Sequence, residues 1–200
     1  SLPIFVELLL QLLVGNIDQI MLSRFSQAAV AAIGNANQII NIIIIVLTLM
    51  ASAALVLNSQ YLGAHDTKRT YSLCHVVMLV IGVCALFSSF LTICFPRFIF
   101  GLINVPDDVM DGAVSYLSII GLGFILQGFY VTLAAILRSY GRVKEVMITA
   151  VVMNLLNIVG NAILINGLFF FPQMGISGAA VSTDISKLIG LVMIYIIFRQ

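Results

Sequence analysis

Six apolar stretches, each near the roughly 20 residues that a helix needs to cross a bilayer, leave this chain few folds to choose from. They fall at 3–23, 32–56, 71–95, 113–137, 146–166 and 176–198. The gaps between them carry the punctuation, as in Leu62-Gly63-Ala64-His65-Asp66 and Asn104-Val105-Pro106-Asp107-Asp108. Pro3, Pro96, Pro106 and Pro172 all lie at segment ends or in gaps, so no helix interior carries a proline kink. Only 8% of the 200 residues are charged, whereas soluble domains carry about 25%. With a mean hydropathy of +1.17, the chain reads as an all-α integral membrane protein, one six-transmembrane-helix bundle over 1–200.

Loop charge orients the bundle. Lys68 and Arg69 fill the second gap, Arg138, Arg142 and Lys144 the fourth, and Arg199 follows the last segment. The third gap sets Arg97 against Asp107, Asp108 and Asp111. The positive-inside rule therefore puts both ends of the chain in the cytoplasm. A net charge of +1 gives no basic field, which argues for lipid, other helices and a small solute as partners and against nucleic acid. Cys74, Cys84 and Cys94 have neither disulfide nor metal-ligand spacing and are expected to be small buried thiols. The chain opens on Ser1 and is expected to be a piece of a longer protein.

Asp18 is the residue that this setting makes expensive. A carboxylate near the middle of a membrane helix costs roughly 2.5 to 3.5 kcal/mol, so it faces a bundle interior or a watery cavity and marks an ion or substrate path. On its helix Glu7, Gln11, Gly15 and Asp18 share one face. Asn154, Asn157 and Asn161 form a second polar stripe, and Asn37, Asn41, Thr48 and Ser52 a third. At 1.5 Å per residue, Asp18 and Asn161 both lie about 22 Å from the inner ends of their helices, and Thr183 reaches close to that level from the other side. Asp18, Asn157, Asn161 and Thr183 can therefore converge. Their oxygens suit a hard cation such as Na+, while Asp18 alone suits a proton. The plainer account makes the amides interhelical glue, worth about 0.6 kcal/mol each, but glue requires no charge.

Other polar residues fit a substrate cavity. Tyr116, Gln127 and Tyr130 lie on one face of the fourth segment around Gly123, where aromatic rings can hold an organic cation. Asp184 and Lys187 form a mutually neutralising pair three residues apart in the sixth segment. Gln11, Asn37, Asn41 and Asn154 complete the candidate lining. Runs of small residues at 26–32, 51–54 and 175–180 predict that the second and sixth helices pack near the bundle centre.

These residues, in this order, resemble the multidrug and toxic compound extrusion (MATE) family. The resemblance rests on Leu2-Pro3-Ile4, Ile17-Asp18-Gln19-Ile20-Met21, Ala28-Ala29-Val30-Ala31-Ala32-Ile33-Gly34, Leu137-Arg138-Ser139-Tyr140-Gly141, Asn154-Leu155-Leu156-Asn157-Ile158-Val159-Gly160-Asn161 and Gly175-Ile176-Ser177-Gly178-Ala179-Ala180-Val181-Ser182-Thr183. It implies the N-lobe of a twelve-helix, two-lobe transporter, with a coupling-cation site at Asp18, Asn157, Asn161 and Thr183. Some family branches carry a second aspartate where this chain has Asn161. A single carboxylate fits one monovalent cation or one proton, so the resemblance leaves H+ and Na+ open.

The expected function is multidrug efflux antiport by alternating access, with cationic amphipathic compounds leaving as H+ or Na+ enters across a bacterial cytoplasmic membrane. No other cofactor is implied. The alternative, a lipid-linked oligosaccharide flippase of the same broad superfamily, needs cavity arginines for a pyrophosphate, and the segment boundaries place no arginine inside a helix. An intramembrane protease needs a nucleophile and base, or paired aspartates, at matched depth; His65 and His75 lie in a gap and near a helix end.

Overall fold

The computed structural model describes residues 5, 9, 20, 23, 26–167 and 172–199. Glu7, Gln11 and Asp18 lie outside the described residues. Those described form six helices and no strand: α1 (Gln27–Gly63), α2 (Thr67–Cys94), α3 (Pro96–Leu102), α4 (Asp107–Ser139), α5 (Val143–Asn166) and α6 (Gly175–Arg199). All but α3 are long and apolar enough to cross a membrane.

Local chemistry sets the ends. The Ser26 hydroxyl accepts from the Ala28 amide at 3.1 Å and opens α1, and the Asp66 carboxylate accepts from the Arg69 amide at 3.0 Å and opens α2. Pro96 cannot continue α2, because it lacks an N–H, but suits the first turn of α3. This short helix, which the apolar pattern did not separate, sends Phe100 fully into the core beside Val105 and Val109. Gly167 closes α5 at φ +68°, a left-handed position that residues with a Cβ avoid.

Among the described helices α4 is the most central, and those of the second and sixth apolar segments pack directly against it. It packs against α1, α2 and α6, and 61% of its apolar span is buried, against 33% or less in the other four. Glycines make this possible. A Cβ at Gly128 would stand 2.8 Å from the Ala85 Cβ on α2, and one at Gly121 would stand 2.6 Å from the Thr92 hydroxyl. Backbones approach closely where side chains are missing, and close packing is what holds helices together in lipid. The small runs serve separate contacts: Ala32 and Ala36 of α1 pack with Ala113 and Leu117 of α4, and Gly178 of α6 lies against the Leu164 carbonyl of α5.

The outward faces stay apolar. Val76, Leu79, Val83, Phe87 and Phe90 of α2, with Ile42, Ile45 and Leu49 of α1, are exposed, as a helix bundle in lipid requires. Cys74 and Cys84 are half-buried and Cys94 is exposed, so the expectation of three buried thiols is wrong. Their helix α2 is a peripheral one that shows much of its surface.

Candidate functional site

A cavity of about 740 Å³ opens between α1, α4, α5 and α6. Asn37, Asn41, Thr48 and Ser52 line it from α1, Tyr116, Gln127, Tyr130 and Arg138 from α4, Asn154 and Asn157 from α5, and Thr183, Ser186 and Lys187 from α6. Polar stripes on four helices thus share one space, each on the face its helical spacing assigns. A larger hollow, about 1150 Å³, lies elsewhere along α4 and α6, among Met78, Phe129, Leu133, Leu191 and Tyr195. Its wall is mostly apolar and includes none of the predicted residues.

Three of the four proposed cation ligands meet through hydrogen bonds. The Asn161 amide donates to Asn157 Oδ1 at 3.4 Å, and the Asn157 amide donates to Thr183 Oγ1 at 3.0 Å. Thr183 passes its own proton to the Ala179 carbonyl at 2.9 Å. Asn161 is fully buried behind the wall, and Asn157 and Thr183 reach the cavity. Gly160 permits this closeness, since a Cβ there would strike the Ser182 hydroxyl, which donates to the Asn157 backbone carbonyl at 3.0 Å. An amide oxygen and a hydroxyl each have two lone pairs, so Asn157 Oδ1 and Thr183 Oγ1 retain capacity for a small cation or a water. This donor set fits a hard monovalent cation. Asp18, the charged member, lies outside the described residues, as does Gln11 of the cavity set.

The Asp184–Lys187 pair divides between two environments. Lys187 is among the residues lining the cavity and is 7% exposed, and its ammonium lies 5.8 Å from the Phe124 ring centroid. Asp184 is off the wall, its carboxylate laid against Gly123, where a Cβ would overlap it. The two charges stand 4.0 Å apart.

Arg138 corrects the sequence reading, which placed it in a gap. Helix α4 continues through Ser139 and stops at Gly141, whose φ is +79°, so Arg138 occupies the last turn and lines the cavity. The glycine was the stop signal in the sequence; the arginine was not. Ser186 also lines the cavity, and its spacing of three residues from Thr183 on α6 was the signal for it.

The MatE family profile matches residues 3–163. The uncharacterized transporter YisQ of Bacillus subtilis is 36% identical over 99% of this chain and 44% of its own length. The probable multidrug resistance protein NorM of Thermotoga maritima is 31% identical over 100% of this chain and 43% of its own. A solved outward-facing multidrug resistance MATE family transporter of the MOP superfamily shares the fold, with a TM-score of 0.87 at 22% identity, over 97% of this chain and 42% of that one. The chain thus spans less than half the length of these proteins. Matched by the profile over most of its residues, with the five described spans arranged as in the solved MATE transporters, the chain belongs to the MatE family, whose members are transporters and not enzymes.

Proposed function

We infer that this chain is the N-terminal lobe of a multidrug efflux antiporter, completed by a second six-helix lobe. The observation that carries this reading is the hydrogen-bonded line from Asn161 through Asn157 to Thr183, ending on a cavity wall at the depth expected for Asp18. Relatives named as multidrug resistance proteins support the efflux reading. The substrates would be cationic amphipathic compounds, held against Tyr116 and Tyr130 by ring faces and by the neutral amides of the wall. Entry of H+ or Na+ at Asp18, Asn157, Asn161 and Thr183 would change the charge between the first, fifth and sixth apolar segments and so favour one of two lobe arrangements. The membrane would be the bacterial cytoplasmic one, with both ends of this segment inside.

The test is Asp18→Asn in the native full-length protein, with dye efflux from vesicles driven by a sodium gradient and separately by a pH gradient. Loss of gradient-driven efflux with retained dye binding is expected, and the gradient that drives the wild type names the ion. Wild-type efflux in the variant sinks the mechanism. Arg138 and Lys187 on the wall favour a second reading, translocation of a lipid-linked pyrophosphoryl saccharide. Saccharide translocation that is lost in Arg138→Gln, without any dye efflux by the wild type, would select it.

A further inference from the structure

Another face of α4 carries the hollow of about 1150 Å³, which shares no lining residue with the central cavity. It exists because α2 and α6 each pack along α4 but scarcely touch one another. Met78 of α2, Phe129 and Leu133 of α4 and Leu191 of α6 give it an apolar floor. From Thr67 to Met78 on α2, and from Tyr140 back to Phe129 on α4, the wall runs about 16 Å at 1.5 Å per residue. That is close to half of the roughly 30 Å hydrocarbon core, the depth of one leaflet. The hollow is open to its surroundings. Tyr71, Tyr140 and Tyr195 on its rim are 69%, 54% and 50% exposed, at the end of the bundle where tyrosines favour the headgroup boundary.

Charge marks the mouth. Arg142 lines it and donates from Nε to Glu145 Oε1 at 3.1 Å and from Nη1 to the Ile197 carbonyl at 2.9 Å, bonds that leave part of the guanidinium fork unused. The Arg199 guanidinium lies 6.0 Å from the ring centroid of Tyr195. Lys68 and Arg69 stand in the first turn of α2 beside Thr67, and Lys144 in that of α5. Among the described residues at this end, only Asp66 and Glu145 oppose these cations. A protein helix laid in the hollow would cover Arg142 without bringing a charge to match, which is costly. An anionic lipid brings both parts, a chain for the floor and a phosphodiester for the mouth, and basic pockets between membrane helices hold such headgroups. We propose that the hollow between α2 and α6 is a binding site for an anionic phospholipid, with one acyl chain along Met78, Phe129 and Leu191 and its phosphate at Arg142 and the neighbouring basic residues. The lipid fills the gap that two helices leave on α4 and is no substrate of the central cavity. The proposal stands apart from the efflux reading.

Fluorescence quenching by brominated lipids tests it in the full-length protein in bilayers. This chain has no tryptophan of its own, so Phe129→Trp reports from the hollow and Leu79→Trp from the exposed face of α2 at similar depth. Each is read as quenching above that of the parent protein, first by phosphatidylglycerol brominated at mid-chain and diluted in plain phosphatidylcholine, then by the reverse mixture. At Phe129→Trp phosphatidylglycerol is preferred by about tenfold, and at Leu79→Trp the two lipids agree within about twofold. Arg142→Gln added to Phe129→Trp lowers the preference below about threefold. Should loss of its bonds to Glu145 and Ile197 unfold that variant, the exposed pair Lys68→Gln/Arg199→Gln takes its place, with the preference cut by about half or more. Equal quenching by both lipids at Phe129→Trp overturns the site and leaves ordinary solvating lipid. Quenching at Leu79→Trp alone also overturns it, because another protein segment or a second copy then fills the hollow. A preference that persists in both charge variants overturns the placement of the phosphate. Gradient-driven efflux is read separately, and each of these results leaves it standing.

Discussion

Asn157 and Asn58 are both buried asparagines that tie helices together, and they end in different places. Asn58 on α1 donates to the Ser139 hydroxyl of α4 at 2.6 Å and accepts weakly from the Cys74 thiol of α2 at 3.8 Å. Ser139 in turn donates to the Ile136 carbonyl at 2.6 Å. These bonds run from helix to helix and end on a backbone carbonyl, and Asn58 does not line the central cavity. Asn157 makes the same kinds of bond, yet its line ends on the cavity wall at Thr183, four residues before Lys187 on α6. A closed polar cluster in lipid fixes geometry. An open one can exchange a partner for an ion or a ligand, which is why the same side chain is structural at one end of the bundle and a candidate ligand in its middle.

The largest expected separation comes from Asn157→Leu, which should lower gradient-driven efflux per folded molecule by roughly 30-fold, near 2 kcal/mol of barrier, besides about 1 kcal/mol in the thermal melt for its lost bonds to Asn161 and Thr183. Asn58→Leu should cost stability alone. It leaves the Ser139 hydroxyl and Cys74 thiol without their amide and costs about 1.5 kcal/mol of stability, read by thermal unfolding in nanodiscs, with efflux per folded molecule unchanged. If Asn58→Leu stops transport, the comparison fails. Thr183→Val, which keeps shape but removes the hydroxyl, should reduce efflux about fivefold, with Thr183→Ser restoring it; equal activity in both variants would remove Thr183 from the site. Ser182→Ala is the smallest change. It deletes the bond to the Asn157 backbone carbonyl and should cost about 0.6 kcal/mol in the melt, with efflux near wild type.

Much of this arrangement could be read from spacing. Asn157 and Asn161 are one turn apart on a helix, and depth arithmetic brings Thr183 to their level from an antiparallel neighbour; such periodic features survive without knowledge of contacts. Arg138 did not, because helix ends depend on the left-handed glycine beyond them and not on where charge begins. The role of α4 was also hidden. Its glycines at 121, 123 and 128 look like weak helix positions in a list of residues, and only contacts with Thr92, Asp184 and Ala85 show that they are the places where two helices, α2 and α6, come close. The alanine and glycine runs in the second and sixth segments were visible, but smallness marks a close approach without saying to what.

What the sequence by itself determined is therefore the kind of molecule: apolar helices with satisfied backbones, because nothing in a bilayer core hydrogen-bonds an open one, and polar residues gathered on a few faces, because lipid would not tolerate them elsewhere. Which faces meet was decided by the tertiary structure alone. Asp184 and Lys187 are three residues apart and look like a self-contained pair, yet the carboxylate is laid against Gly123 of α4, off the cavity wall, while Lys187 is one of the residues that line the cavity. The fate of a charge depends on the dielectric and the partners around it, and those come from helices distant in the chain.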